Sequence, residues 1–331
     1  MQVVLKLLQK VRKLFRGNKL SRLRIKNALL LFHPAHDEVI RDYYLYVLHL
    51  LAQAAKTSHL EADLVIGAYE VRHRGHKPQL RVDFQVEHTL VKPGGRGAEH
   101  APEGVVPVPG EPGQRYLVRV QDMARLDRAD AVIDYSRPNL LNLQSSGLYP
   151  ELLAKLYYIA PLVYPVDAPV PDGAQRDLEV ITLFGNPEEP RRKALLDKLK
   201  RWNPVCQNIR GRFDDIQDIY RRSRILVNIR QTDHHDTLEE LRVLPALLCG
   251  VIVISEDVPL RNEVPYRDFI LWARLQDLPA LVREVHENYE HYHQRIFSGS
   301  ALLQCVSAME TENRDTVQRL FKRLESLSLG R

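Results

Sequence analysis

Between Leu178 and Ser255 the chain reads LEVITLFGN (178–186), PRRKALLDKLKRW (190–202), VCQNIRG (205–211), FDDIQDIYRRS (213–223), RILVNIRQ (224–231), TLEELRVLPALLC (237–249) and VIVIS (251–255). The runs led by Val, Ile and Leu have the length and composition of strands buried on both faces. The segments between them place apolar residues at helical spacing, as Phe213, Ile216, Ile219 and Tyr220 do. Gly250 stands where a helix terminator belongs. Strands alternating with helices make βαβ units and a parallel sheet, so the expected class is α/β. RDFILWA (267–273) adds a strand, LQDLPALVREVHENY (275–289) a helix, and the tail to Arg331 reads as largely helical. Residues 178–290 are thus expected to form one Rossmann-like domain, followed by C-terminal helices over 291–331.

Toward the N-terminus the same alternation is weaker. ALLLFH (28–33) reads as a buried strand, and DEVIRDYYLYVLHLLAQAA (37–55) as a helix with Val39, Tyr43, Val47, Leu50 and Leu51 on its apolar face. ADLVIGAYEV (62–71) and LRVDFQVEHTLV (80–91) read as strands. Six Gly and five Pro in the 24 residues from Lys92 to Arg115 argue against regular structure there and predict a loop. RYLVRVQD (115–122) then reads as a short helix and ADAVIDYS (129–136) as a buried strand. The Pro- and Asp-containing stretch 165–177 is the candidate linker. Two Rossmann-like halves, 27–164 and 178–290, are the predicted architecture.

No run of the chain reaches the ~18 apolar residues that a membrane-spanning helix needs. Cys206, Cys249 and Cys305 are odd in number and widely spaced, which excludes a disulfide framework or a Cys-rich zinc site and points to a reducing, cytoplasmic setting. Residues 1–26 carry nine basic side chains and no acid, so the remaining 305 residues hold a net −4 against the chain's +5. Val4, Leu7, Leu8, Val11, Leu14 and Phe15 recur among those bases at helical spacing, which predicts a basic amphipathic helix. Two readings of it stand side by side: docking on the anionic inner face of a membrane, at roughly 1 kcal/mol per basic residue, or a solvated helix capping the domain. A nucleic-acid partner is disfavoured, because the body is acidic and has no interleaved aromatic and basic stripe.

The succession LFGNPEEPRRKALL, YRRSRILVNIRQ, TLEELRVLPALLCGVIVISED and DLPALVREVHEN resembles the C-terminal half of GT-B glycosyltransferases. It is most similar to the spore-maturation glycosyltransferase-like branch, with its Arg on the helix, its run of small residues ending in Cys-Gly, and its strand ending in Ser-Glu. Those positions are Arg242, Cys249-Gly250 and Ser255-Glu256. The resemblance spans about a third of the chain and implies a GT-B fold, two Rossmann-like domains facing a cleft, with a nucleotide-sugar donor held against the C-terminal domain. It further implies that Gly185 (with Asn186) and Gly211 let backbone approach the nucleotide, and that Arg191 or Arg192 pairs with the diphosphate. Asn228 and Arg230 stand at a strand's C-terminal end, and Glu239, Glu240 and Arg242 at the start of the helix beyond. A carboxylate there could accept ribose or sugar hydroxyls. Positions that hold two Glu in many retaining members hold Thr237 and Pro245 here, so the retaining assignment does not carry over.

Glycosyl transfer needs positive charge at the leaving diphosphate and, in an inverting enzyme, a base near the acceptor hydroxyl. For the base, Glu87-His88 at a strand end pairs a carboxylate with an imidazole, and Asp134 in VIDYSRPN is the next candidate. The alternative for each is an ordinary hydrogen-bonded side chain. His33, His36 and Asp37, like Asp233, His234, His235 and Asp236, lack metal-ligand spacing, so no metal and no separate cofactor are expected. His286, His291 and His293 read as solvated. The Gly-rich loop 92–115 either closes over the acceptor, with Lys92 and Arg96 reaching phosphate, or is a disordered insertion. The expected activity is a metal-independent transferase acting on a glycan, lipid-linked or protein acceptor. The alternatives are an inactive GT-B-like binding subunit, or a sugar-nucleotide epimerase or hydrolase on the same fold.

Overall fold

The structure, a computed structural model, describes residues 20–33, 40–67, 76–94, 105–107, 115–120, 122–166, 176–203, 205–210, 216–232 and 237–330. In chain order the described strands are β1 (Ser21–Ile25), β2 (Ala28–Phe32), β3 (Asp63–Ile66), β4 (Gln79–Gln85), β5 (Leu90–Val91), β6 (Val105–Pro107), β7 (Arg115–Val118), β8 (Ala131–Asp134), β9 (Leu156–Tyr158), β10 (Leu178–Thr182), β11 (Gln207–Asn208), β12 (Ser223–Asn228), β13 (Ile252–Glu256) and β14 (Ile270–Ala273). The helices are α1 (Arg41–Thr57), α2 (Met123–Asp127), α3 (Arg137–Ser146), α4 (Pro150–Leu153), α5 (Pro190–Trp202), α6 (Ile216–Arg222), α7 (Glu240–Leu248), α8 (Leu278–Glu287), α9 (Tyr289–Phe297) and α10 (Ala301–Leu329). They divide into two compact units. One holds the described residues up to Glu87, Val120–Val163 and Glu310 onward; the other holds His88–Arg119 and Tyr164–Met309.

In the first unit the sheet runs β1-β2-β3-β4-β8-β9, parallel except for the β1–β2 hairpin. Leu30, Leu64, Ile66, Leu80, Val82 and Ile133 are buried in it, and α1 covers it with Tyr43, Tyr44, Val47 and Leu51. The buried phenols find carbonyls: Tyr43 donates to Ile159 at 2.8 Å and Tyr44 to Ile66 at 2.9 Å. Such pairing is what makes a tyrosine-rich core tolerable, since an unpaired buried hydroxyl costs about 1–3 kcal/mol. The middle of α10 is fixed by Asn313, fully buried, whose amide donates to the Ala160 carbonyl and the Tyr46 hydroxyl and accepts from the Ala160 N–H.

In the second unit a fully parallel sheet runs β11-β10-β12-β13-β14, and β5-β7-β6 form a separate antiparallel sheet. Both units are parallel α/β, as the alternation predicted.

Several sequence expectations are corrected here. Ser21–Ile25 is a strand, so the helix expected through residue 26 does not include it: Arg22 and Arg24 alternate with Leu23 and Ile25 at the strand period, and Lys26-Asn27 close a two-residue hairpin. Residues 1–19 lie outside the described residues. RYLV is a strand and not a helix, and β6 places regular structure within the Gly- and Pro-rich stretch 92–115. The run 80–91 breaks into β4 and β5 because the Gln85 amide closes back on the backbone N–H and carbonyl of Glu87. The described residues of 88–119 therefore group with the second unit, and those from 310 onward with the first. Most of the expected linker, residues 167–175, lies outside the described residues.

Helix α7 ends as its sequence predicts. Gly250 is left-handed, with φ of +73°, and the Val251 N–H returns to the Ala246 carbonyl at 3.1 Å. Arg176 lies against this turn and donates to the carbonyls of Cys249, Tyr220 and Ser223, tying together the ends of α7 and α6 and the start of β12. A Cβ on residue 250 would sit 2.8 Å from the Arg176 guanidinium. Gly250→Ala is expected to destabilise the protein by about 1–2 kcal/mol from the left-handed backbone alone, read by calorimetry as a Tm lowered by roughly 2–8 °C. An unchanged Tm would show that neither the turn nor Arg176 constrains this position.

Candidate functional site

The parallel strands of the first unit follow sequence order, β2-β3-β4-β8-β9. In the second unit the order reverses at β10, which has β11 on one side and β12 on the other. Ligands of open α/β sheets bind beyond the carboxyl ends of the strands at such a reversal, where the two flanking connections part. The ends of β10 and β12 therefore mark the place to look.

Beyond β10 the backbone is clamped by one side chain. The Asn208 carbonyl oxygen accepts from the Phe184 N–H at 2.9 Å and the Thr182 hydroxyl at 2.7 Å, and its amide donates to the Phe184 carbonyl at 3.2 Å. The Phe184 ring, thus fixed, lies under the Arg192 guanidinium at 4.7 Å. Arg192 is only 2% exposed, and its Nε has no hydrogen-bond partner. Burial, joined by the positive charge of Arg242, lowers its pKa to about 10, which leaves it charged at neutral pH.

Beyond β12, Asn228 is buried, donates to the Ser255 hydroxyl at 3.1 Å and accepts from Arg242 at 3.0 Å. Glu239 precedes α7, and its carboxylate lies 3.3 Å from His88 Nε2 and 3.9 Å from Arg242. His88 Nδ1 meets the Thr237 hydroxyl. The imidazole therefore spans a hydroxyl and a carboxylate, and these partners assign the proton of the neutral ring to Nε2. Burial alone would raise the Glu239 pKa. The charge of Arg242, the hydrogen bond from His88 and the charge of Arg192 outweigh it and hold the carboxyl well below the ordinary range.

A second cluster lies at the end of β13. Glu256, 3% exposed, accepts from Arg191 through a two-pronged contact at 2.7 and 2.9 Å, and from Arg230 through Nη2 at 2.6 Å and the backbone N–H at 3.2 Å. Arg191 also donates to the Arg230 carbonyl at 3.0 Å. Burial favours the neutral acid, but the bonds from Arg191 and Arg230 keep its pKa depressed. Breaking one partner of such a buried group typically costs about 3–5 kcal/mol.

The structure thus sorts the residues expected from sequence. Arg192, Asn228, Glu239 and Arg242 come together with His88 at the switch point. Arg191 and Arg230 do not present forks to a ligand, because Glu256 engages them. Glu240 is fully buried and accepts from the Tyr266 hydroxyl at 2.9 Å, which replaces its expected sugar contact. Gly185 has no positive φ, and a Cβ there would meet nothing within 4 Å, so neither backbone nor space demands glycine. Asn186 is exposed and reaches Glu189 at 3.5 Å. Ser255 is buried and supports Asn228. The expected partner of His88, Glu87, is replaced by Glu239; the Glu87 carbonyl accepts from Gln85 and Asn139 in the first unit. Asp134 is buried there as well, bonded to the Ser136 N–H at 2.8 Å and the Asn139 amide at 3.1 Å, and so holds the entry to α3 rather than offering a base. Gly211, His36, Asp37 and residues 233–236 lie outside the described residues. Among the described residues no three His, Cys, Asp or Glu side chains converge as a metal-ligand set, and no helix is long and apolar enough to cross a membrane.

Sequence reasoning missed three contributors: Thr237, Phe184 and Asn208. Nothing local to Thr237 marks it as a partner of His88, and nothing local tells that an Asn 24 residues beyond Phe184 will clamp its backbone.

No protein-family model matches the chain. It is 28% identical over 119 residues to an uncharacterized protein of Acanthamoeba polyphaga mimivirus, a match covering 34% of this chain and 42% of that protein. Among solved structures it is similar to the pneumococcal O-GlcNAc transferase GtfA in complex with UDP and GlcNAc, at 12% identity and a TM-score of 0.39 over 86% of this chain and 59% of that one. It is also similar to AviGT4, a glycosyltransferase involved in avilamycin A biosynthesis, at 10% identity and a TM-score of 0.45 over 94% and 96% of the two chains. The chain thus spans about two fifths of the curated relative it matches and about three fifths of GtfA.

Proposed function

We propose that this protein is a GT-B glycosyltransferase that moves a sugar from a nucleotide-sugar donor to a hydroxyl of a glycan, lipid-linked or protein acceptor. The observation that carries the reading is the buried Arg192 guanidinium, orphaned at Nε, at the reversal point of the parallel sheet. A buried cation costs several kcal/mol unless paired, and a diphosphate supplies the missing charge and acceptors together. Arg242 stands beside it as a second cation, so the leaving group is stabilised by guanidinium groups in the role a metal plays elsewhere. His88 takes the acceptor's proton at Nδ1 once the acceptor hydroxyl replaces that of Thr237 there, while Glu239 keeps the other nitrogen protonated and steadies the imidazolium that forms. Residues 1–26, with their nine bases, would suit a protein working at an anionic membrane face.

A calorimetric titration with UDP-, GDP-, CMP- and dTDP-sugars, with and without EDTA, tests the reading. One nucleotide family is expected to bind regardless of chelator. No binding to folded protein would overturn the proposal. His88→Gln is expected to lower turnover by about 10²–10⁴ while donor affinity stays within about threefold. Donor binding without turnover in the unmodified protein would instead favour the inactive binding subunit, the reading that Thr237 and Pro245 at the two Glu positions suggest.

The depressed Glu239 and Glu256 carboxyls also fix a pH dependence. A carboxyl held below its unfolded value stabilises the fold above that value, near pH 4.3, and loses the contribution as pH falls further. Thermal stability is therefore expected to be flat above about pH 5 and to drop below it, and Glu239→Gln is expected to flatten this acid limb. A variant with an unchanged acid limb would show that Glu239 is not the charged partner of Arg242 and His88.

A further inference from the structure

Away from the strand ends, the second unit carries another arrangement of chemically competent side chains. Trp202 closes α5, and its indole meets the His286 ring edge-on at 5.2 Å and 87°. His286 is held by Glu179, the second residue of β10, at 2.8 Å, and Asn203 donates to the same carboxylate oxygen at 3.2 Å. The indole is therefore braced by a chain of contacts that ends in the central sheet. Beside it opens a concavity of about 400 Å³, lined by Trp202 and by Pro279, Ala280, Arg283, Glu284 and Glu287 of α8. That volume falls within the roughly 300–1,000 Å³ of small-molecule sites. Residues 280, 283, 284 and 287 share one face of α8. Arg283 and Glu287 are paired at 3.0 Å, and Glu284 accepts from the Tyr292 hydroxyl.

From this geometry we infer a carbohydrate-binding site that takes a neutral pyranose of a glycan. The charges lining it, one guanidinium against two carboxylates, sum to −1, which disfavours phosphate, nucleic acid and anionic lipid. A neutral sugar matches both halves of the lining. Its C–H face lies on the braced indole, an amphipathic ring that loses little freedom on contact. Its hydroxyls donate to the carboxylates and accept from Arg283, which keep the capacity to do so when paired with each other. The site is separate from the switch point: Trp202 lies ten residues beyond Arg192 on α5, about 15 Å along the helix axis. It does not rest on the transferase reading, and its test leaves that reading untouched.

The test uses the full chain with chitotetraose, cellotetraose, maltotetraose and mannotetraose as probes, followed by saturation-transfer NMR and tryptophan fluorescence. At least one is expected to bind saturably, with Trp202→Ala weakening it at least tenfold. The double variant Arg283→Ala with Glu287→Ala, on an exposed helix face, is expected to weaken it at least threefold without altering Tm, and Arg192→Met to leave it unchanged. Absence of saturable binding by all four sugars overturns the inference. So does binding that survives both the Trp202 and the α8 variants, or that is lost with Arg192→Met.

Discussion

A positive charge held 2% exposed, over an aromatic ring and with a nitrogen lacking any hydrogen-bond partner, is the constraint from which the second unit is best understood. Water would solvate that charge by far more than a phenyl face returns. The surroundings hold the side chain in this place. β10 ends in a backbone clamped by Asn208, and α5 starts at Pro190 a few residues later, so Phe184 and Arg192 have little freedom to separate. Parallel packing of β10 against β12 then sets the Asn228, Glu239 and Arg242 group opposite.

The four arginines near the strand ends fall into two kinds of environment. Arg191 and Arg230 share Glu256, and each distance there is that of a made hydrogen bond. Arg242 and Arg192 share the influence of Glu239, but more loosely: 3.9 Å to Arg242, and a purely electrostatic effect on Arg192. The first pair is neutralised by a carboxylate in direct contact, whereas Arg192 has no carboxylate at hydrogen-bond distance among the described residues. An anion-binding site needs charge that no carboxylate in direct contact has already neutralised. His88 reaches this group because the described residues of 88–119 group with the second unit, where Leu90 packs on Leu260.

Much of this was readable in the sequence where the signal is local and periodic. The strands and helices from Leu178 to Ala273 follow the alternation of Val-, Ile- and Leu-rich runs with helical spacing, and Gly250 ends its helix where expected. Arg192, Asn228, Glu239 and Arg242 stand near one another because strand ends and helix starts are where parallel sheets place polar side chains. What was not readable depends on contacts between distant segments. Which of two adjacent arginines would be taken by Glu256, 65 residues away, is set by the helical rotation between 191 and 192 and by the β13 register. The partner of His88 is Glu239, 151 residues away, and not its neighbour Glu87, because the chain bends at Gln85–Glu87 and changes units. RYLVRVQD is short enough to suit either period, and the pairing of 115–118 with β5 and β6 decides for a strand.

The most direct measurement is a paired one on Arg192→Met, combining scanning calorimetry of the ligand-free protein with titration of the nucleoside diphosphate that the unmodified protein binds best. A buried cation kept for an anionic ligand predicts that Tm is unchanged or raised, since an apolar side chain of similar length removes a desolvated charge, while nucleotide affinity falls at least tenfold. A Tm lowered by several degrees with nucleotide affinity intact would contradict it, and would make Arg192 a structural residue whose partners lie elsewhere.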